Sequence, residues 1–268
     1  MNAPATLDTS AAAPPGAPRA RILAVTSGKG GVGKTFLSAN LAAALAQRGL
    51  RVLVLDADLG LANLDVVLNL HPKKTLHDVF TGEASLEQAV LPAPGGFSVL
   101  LAGSGLVEYS RLTPDVRDKL LAVIGEVTPR FDIVLLDTGA GISDVVLYTV
   151  SLADEVLIVA TPEPTSMTDA YATIKVLATQ QGRREVKLIV NQVPRSGDGR
   201  AVAGQLKQVI DRFVAPPLGS AVELTLIGDV PIDAGVRDAV KKRQLVVQSM
   251  PGTPAAQAIV ALAARLAS

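Results

Sequence analysis

The fold of this 268-residue chain is decided by one stretch, Gly28-Lys29-Gly30-Gly31-Val32-Gly33-Lys34-Thr35. The stretch fits the pattern G-x-x-x-x-G-K-[ST], follows the apolar run 21–27 and opens a helical pattern at 34–48. Glycines let several backbone N–H groups converge on phosphate oxygens, and the N-terminus of the helix adds its positive dipole. We therefore predict a nucleotide phosphate site, in which Lys34 contacts the β- and γ-phosphates and Thr35 binds Mg²⁺.

Short apolar runs alternate with helical patterns along the rest of the chain. The predicted strands are 21–27, 52–56, 98–102, 133–137, 155–160, 186–191 and 224–228. The predicted helices are 34–48, 113–126, 165–181, 200–213 and 255–266. Strands that are apolar throughout and separated by crossover helices indicate a mostly parallel sheet covered on both faces. The predicted fold is therefore a doubly wound α/β fold.

Composition excludes several kinds of chemistry. The chain has no cysteine and only two histidines, which excludes disulfides, Cys-ligated clusters and thiol nucleophiles and leaves little for a His-based metal site. The 25 Lys and Arg balance 25 Asp and Glu, and aromatic residues make up 3% of the chain. These values argue against coating of nucleic acid by bulk charge and against base-stacking surfaces. The chemistry must come from backbone amides, lysines, aspartates and hydroxyls.

The first twenty residues combine four prolines with alanines and almost no charge, which predicts a flexible tail at 1–20. The segment lacks the basic start and apolar core of a signal peptide, and no apolar run elsewhere approaches the roughly 18 residues of a membrane span. We therefore expect a cytoplasmic protein with a single domain at 21–268.

Acidic residues end two of the predicted strands. Asp56 ends the second strand and Asp58 follows it, and Asp137 ends the fourth. Ligands of such sheets bind at the carboxyl ends of the strands, so these acids should lie beside residues 28–35, which we call the phosphate loop. A carboxylate at the end of a buried strand needs a compensating charge, which Mg²⁺ supplies. A helix N-cap is the alternative reading of Asp137.

The second lysine of the loop, Lys29, is not needed by the phosphate pattern itself. Stretch 28–35 resembles the deviant Walker A motif of the MinD/ParA class of ATPases. That resemblance implies an ATP-bound homodimer in which Lys29 reaches the nucleotide of the partner. A solvated loop lysine is the alternative.

The resemblance also implies roles for the acids. Asp58 would orient or activate the attacking water, Asp56 would support the metal through water, and Asp137 would be the Walker B acid. The turn 139–141 resembles a second switch that senses the γ-phosphate.

Two further residues are candidates for the nucleotide. Phe36 stands where most of the superfamily has a second hydroxyl, so its backbone N–H would contact the α-phosphate. Asn191 ends the sixth predicted strand. The resemblance implies that its side chain faces the adenine, as an Asn at this position does in related proteins; a turn-forming Asn before Pro194 is the open alternative. The lack of an N-K-x-D pattern favours ATP over GTP.

The absence of cysteine separates this chain from cluster-handling relatives. Stretches 56–70, 137–143 and 161–177 are most similar to the flagellar-number regulators of the FlhG/FleN group. That resemblance implies binding of the master transcriptional activator of flagellar genes, of the GTPase FlhF, or of both, without direct DNA binding. A ParA-like DNA-partition ATPase, a MinD-like division-site ATPase and a metabolic P-loop enzyme are the alternatives.

Two departures limit the resemblance. Residues 1–20 contain nothing like the D-Q-A-x-x-L-R helix with which some members stimulate the partner GTPase. Membrane recruitment in the class uses a basic amphipathic C-terminal helix, whereas segment 253–268 has Ile259, Leu262 and Leu266 on one side and Arg265 as its one cation. We expect this helix to pack on the core, with peripheral binding at the membrane or cell pole as the weaker alternative.

Overall fold

The computed structural model describes residues 19–60, 62–103 and 111–268. Their strands are β1 (Arg21–Ser27), β2 (Val52–Ala57), β3 (Val90–Pro92), β4 (Ser98–Leu100), β5 (Ile133–Ala140), β6 (Glu155–Ala160), β7 (Glu185–Val193) and β8 (Glu223–Pro231). Their helices are α1 (Lys34–Ala46), α2 (Leu64–Leu68), α3 (Leu76–Thr81), α4 (Leu86–Ala89), α5 (Pro114–Val127), α6 (Asp144–Ser151), α7 (Pro164–Gln180), α8 (Gly199–Phe213), α9 (Ala215–Leu218), α10 (Ala234–Lys241), α11 (Val246–Ser249) and α12 (Pro254–Ala267).

The described strands form one eight-stranded sheet in the order β3-β4-β2-β5-β1-β6-β7-β8. Every neighbouring pair is parallel except β3 with β4. The order doubles back around the central strand β1, which places the carboxyl ends of β1, β2 and β5 side by side. This confirms the predicted doubly wound, mostly parallel α/β fold.

Both faces of the sheet are covered, which explains why the strand sequences do not alternate between apolar and polar residues. In β1, Ile22 and Ala24 pack into the core layer that contains α5 and α7, whereas Leu23 and Val25 pack into the layer that contains α1 and α12. All four side chains are fully buried. Burial of apolar surface on two faces supplies most of the stability of such a sheet.

Helix α1 is apolar on nearly every side because it lies between the sheet and α12. Leu37, Leu41 and Leu45 are fully buried. The buried Asn40 side chain donates to the carbonyl of Phe36 (2.9 Å) and accepts from the N–H of Val247 (3.2 Å). The helix that opens at the phosphate loop is therefore fixed to the core along its length.

Several boundaries differ from the sequence-based prediction. Strand β4 ends at Leu100 rather than 102, and β5 continues to Ala140 rather than ending at 137. A helical stretch from Asp233 to the basic run 241–243 is also predicted, and α10 confirms it. The sequence does not predict strand β3 or the helices α2, α3, α4, α6, α9 and α11. All of these are short, at three to eight residues, so they carry too few turns or alternations for a periodic pattern.

The two ends of the described chain lie on the core. The predicted tail falls outside the described residues except for Arg19 and Ala20, and Ala20 is buried and donates its N–H to the carbonyl of Thr128 at 3.1 Å. At the other end, α12 buries Ile259, Leu262 and Leu266 against α1 and β8. Among the described residues, no helix is both long and apolar enough to span a bilayer.

Candidate functional site

The phosphate loop joins the end of β1 to the start of α1, as predicted. Gly31 and Gly33 have φ values of 80° and 95°, which are accessible to glycine without strain. Gly33 occupies the N-cap position of α1 and has no side chain with which to cap the helix. The first N–H groups of α1 therefore remain available to an anion, and the helix dipole favours one there.

Gly28 is required by close packing rather than by its φ angle. A Cβ atom at this position would lie 2.2 Å from the backbone oxygen of Asp169 in α7. The contact joins the first residue of the loop to the helix that follows β6. By contrast, a Cβ on Gly30 would meet no atom within 4 Å.

Lys34 lies inside the site and is only 9% exposed. Its Nζ donates to Ser27 Oγ at 2.9 Å, and that hydroxyl donates to the carbonyl oxygen of Lys29 at 2.7 Å. Burial lowers the pKa of Lys34, while the charges of Asp137 and Asp58 act in the opposite direction. Ser27 thus connects the lysine to the loop backbone.

Two buried carboxylates face each other on adjacent strands. Asp56 of β2 pairs in register with Asp137 of β5, and both are almost completely buried. Asp137 Oδ1 accepts from Ser38 Oγ at 2.9 Å. Burial raises the pKa of Asp137 to about 6, partly opposed by the neighbouring hydroxyls of Thr35 and Ser38.

Asp56 is less well satisfied. Its Oδ1 accepts from the N–H of Asp58 at 3.2 Å, whereas its buried Oδ2 has no hydrogen-bond partner. Burial, followed by the charge of Asp137, raises its pKa well above the ordinary value of 3.8. An orphaned buried carboxylate oxygen beside a second carboxylate is a place where a cation lowers the energy.

The donors at this edge of the sheet fit Mg²⁺. They are carboxylate and hydroxyl oxygens, which are the ligands that a small hard cation prefers. Within the described ranges, no group of three or more His, Cys, Asp or Glu side chains is arranged to hold a metal alone. This is compatible with Mg²⁺, because that ion usually keeps waters and completes its shell with phosphate oxygens.

Asp58, the predicted water-orienting residue, lies against the predicted switch at 139–141. A Cβ on Gly139 would lie 3.3 Å from Asp58 Oδ1, so the absence of a side chain there leaves room for that carboxylate. The N–H of Gly141 donates to the carbonyl of Ser27 at 2.8 Å. The predicted turn 139–141 is in part strand, because β5 runs through Ala140 and bends only at Gly141, where φ is 89°.

Lys29 lies on the rim of the site. Its Nζ donates to Glu163 Oε2 at 2.8 Å and to Thr165 Oγ1 at 2.9 Å, at the start of α7. The Lys29 side chain is 37% exposed and that of Glu163 is 61% exposed, so the ion pair is solvated and weak.

Asn191 contacts the phosphate loop directly. Its Nδ2 donates to the carbonyl of Val32 at 2.8 Å, and its Oδ1 accepts from the N–H of Gln192. A Cβ on Gly33 would lie 2.4 Å from that Nδ2. Both ends of the Asn191 amide are thus hydrogen-bonded within the chain.

Phe36, the other residue predicted to contact the nucleotide, packs its half-buried side chain against the core layer that contains α1.

Four polar residues of this site were not singled out from the sequence for these contacts: Ser27, Ser38, Glu163 and Thr165. The sequence predicts Ser27 only as the last residue of a strand and Ser38 only as part of a helix. A signal for Ser38 was present, because a polar residue three positions after Thr35 interrupts an apolar helix. The contacts of Lys29 with Glu163 and Thr165 span 134 and 136 residues and depend on the tertiary fold.

A phosphate loop between a central strand and its helix, with carboxylates at the ends of adjoining strands, defines a P-loop nucleoside triphosphatase fold. A family model described as an AAA domain matches residues 20–189. The antiactivator FleN of Pseudomonas aeruginosa is 42% identical over 248 residues, which cover 92% of this chain and 86% of that protein. The flagellum site-determining protein YlxH of Helicobacter pylori is 34% identical over 250 residues, covering 92% and 82%.

Solved structures agree with these matches. The septum site-determining protein MinD complexed with Mg-ADP, from Pyrococcus horikoshii, aligns with a TM-score of 0.75 and 28% identity, over 92% of this chain and 96% of that one. The chain belongs to the MinD/ParA family of P-loop ATPases, which confirms the family predicted from its loop.

The close approach of Gly28 to α7 gives a stability prediction. Gly28→Ala should lower the free energy of unfolding by about 1–3 kcal/mol, because the new Cβ must displace backbone. Gly30→Ala is the matched control and should leave thermal unfolding, followed by circular dichroism without nucleotide, nearly unchanged. Equal melting temperatures for the two variants would contradict the packing argument.

The buried carboxylates give a pH prediction. Between pH 3.8, the ordinary pKa of an aspartate, and about pH 6, the pKa of Asp137 in the folded protein, the folded state keeps a proton on Asp137 that the unfolded state releases. The free energy of unfolding therefore decreases as the pH rises through that range. Asp137→Asn should therefore raise the free energy of unfolding at pH 8, in EDTA and without nucleotide, by about 1–3 kcal/mol.

Asp132→Asn is the contrasting control, measured by urea unfolding at pH 5 and pH 8. The hydrogen bonds from Arg51 lower the pKa of Asp132, so this substitution should destabilise the protein at pH 8. Destabilisation by Asp137→Asn at pH 8 would show that the carboxylate is compensated within the chain.

Proposed function

We propose that this protein binds ATP with Mg²⁺ and hydrolyses it to ADP and phosphate as a homodimer. One observation carries the proposal: Lys34, Thr35 and three aspartates converge where the phosphate loop opens α1. The buried lysine and the uncapped helix N-terminus attract phosphate, and the carboxylates attract a divalent cation.

The positions of the residues support the roles that we propose. Backbone N–H groups of 28–35 would hold phosphate oxygens, and Lys34 Nζ, which donates to Ser27 Oγ, would contact the β- and γ-phosphates. Thr35 and Asp137 would hold Mg²⁺, and Asp56 would support it through water. Bound Mg²⁺ neutralises charge on the phosphates. Asp58 orients the attacking water, next to the space that Gly139 leaves open.

The dimer would use Lys29 in trans. To reach the nucleotide of the partner, its Nζ must leave Glu163 and Thr165. The exposure of this ion pair makes the exchange inexpensive, since solvated pairs contribute about 0–1 kcal/mol. Phe36 would contact the α-phosphate through its N–H, and Asn191 would border the adenine while supporting the loop.

The cellular role that we propose is control of flagellar number or placement. The similarity to the flagellum site-determining protein YlxH and to the antiactivator FleN supports it. The partners would be a flagellar transcriptional activator, the FlhF GTPase, or both, without direct DNA binding. The ATPase domain would be residues 21–268, with 1–20 outside it. We place the protein in the cytoplasm, with peripheral association at the membrane or pole as a weaker possibility, because α12 buries its apolar face.

Asp58→Ala should abolish ATP turnover while leaving ATP binding and dimerisation intact, because the substitution removes the group that orients water but none that holds phosphate. Phosphate release and binding of a fluorescent ATP analogue measure the two properties. Asp65→Ala, on the nearby helix α2, is the control and should hydrolyse ATP normally. Full turnover by Asp58→Ala would contradict the assigned role.

Lys29→Ala should remain monomeric in size-exclusion chromatography with a non-hydrolysable ATP analogue, whereas the unaltered protein becomes a dimer with the analogue but not with ADP. Lys242→Ala, an exposed lysine at the end of α10, serves as the control. A wild-type protein that stays monomeric with both nucleotides would disprove the dimer, and a deletion strain with unchanged flagellar number would disprove the cellular role alone.

A further inference from the structure

Ser38 directs its hydroxyl away from its own helix. It lies in α1 one turn after Thr35, is fully buried and donates to Asp137 Oδ1 of β5 at 2.9 Å. Four threonines in other helices of the described chain instead donate to the carbonyl oxygen four residues earlier: Thr149, Thr168, Thr173 and Thr179. Such local bonds are the usual choice for Ser and Thr within helices.

This choice matters because a hydroxyl has a single proton to donate. Ser38 donates this proton to the carboxylate of Asp137, a residue that is only 2% exposed. A hydrogen bond to a charged acceptor is strongest where water is excluded. Ser38 lies three residues after Thr35, hence on the same side of α1. Its hydrogen bond to Asp137 ties the carboxylate of β5 to the face of α1 that opens at the phosphate loop.

We propose that Ser38 is a positioning residue for divalent-cation binding: its hydroxyl holds Asp137 in the orientation that Mg²⁺ requires. The inference rests on the proposed function and deepens it. Groups that hydrogen-bond to a metal-binding carboxylate typically change metal affinity by 10–100-fold when they are removed. Ser38 itself does not touch the nucleotide in this scheme.

The test separates metal binding from nucleotide binding in the full-length protein. Mn²⁺ serves as the probe, since its electron paramagnetic resonance signal reports binding to the protein–ADP complex. Ser38→Ala should weaken Mn²⁺ binding by about 10–100-fold. Its affinity for fluorescent ADP in EDTA should change by less than about twofold, because the phosphate loop keeps its N–H groups and Lys34.

Two more variants complete the design. Thr149→Val removes a buried helix hydroxyl that bonds only within α6, and it should leave both affinities unchanged. Ser38→Cys keeps a side chain of similar size with a much weaker donor, so it should also weaken Mn²⁺ binding. If Ser38→Ala does not fold by circular dichroism, Ser38→Cys decides the result.

The outcomes divide cleanly. Unchanged Mn²⁺ affinity, or an equal loss of ADP affinity in EDTA, would overturn the role of Ser38. Loss confined to Mn²⁺ supports it. If the unaltered protein binds no ADP, or binds it without any effect of Mn²⁺, the proposed ATPase function itself fails, which is a different result from failure of the Ser38 inference alone.

Discussion

The structure depends on an imbalance of charge at the centre of the sheet. Asp56 and Asp137 lie in register on neighbouring strands with almost no access to water, and Asp58 adjoins them. Lys34 is the cation that acts on Asp137 from within the loop. Burial raises the pKa of both buried acids, which means that the fold tolerates these carboxylates rather than being stabilised by their charge. A bound cation, held together with the phosphates of a nucleotide, would compensate the negative charge of these buried carboxylates.

Helix α1 supports both the site and the core. Its first turns carry Lys34, Thr35 and Ser38 toward the ends of β1 and β5, and its remaining faces pack against the sheet and α12. Asn40 then joins it to the start of α11. Any rotation of this helix would displace Lys34 and the Ser38 hydroxyl that donates to Asp137. Stability of the core and geometry of the site are consequently properties of one element.

Much of this arrangement could be predicted from the sequence, because a parallel sheet brings the carboxyl ends of its strands to one edge. The loop 28–35 and the aspartates at strand ends needed only that rule and the order of elements. The ends of β4 and β5 were wrong by a few residues, since pairing with a neighbour, rather than local composition, decides where a strand stops. The contacts of Lys29 with Glu163 and of Asn191 with Val32 span more than a hundred residues, so local patterns carry no trace of them.

Strand β3 determines how one edge of the sheet meets other chains. It is the antiparallel strand at one edge of an otherwise parallel sheet, only three residues long, and it ends in the exposed Pro92. Proline has no N–H to offer a new strand, and a short edge gives an incoming chain little to pair with. Without it, the parallel strand β4 would form that edge of the sheet. The chain is thus protected against edge-to-edge aggregation on this side, which matters for any protein that crowds together with its own copies.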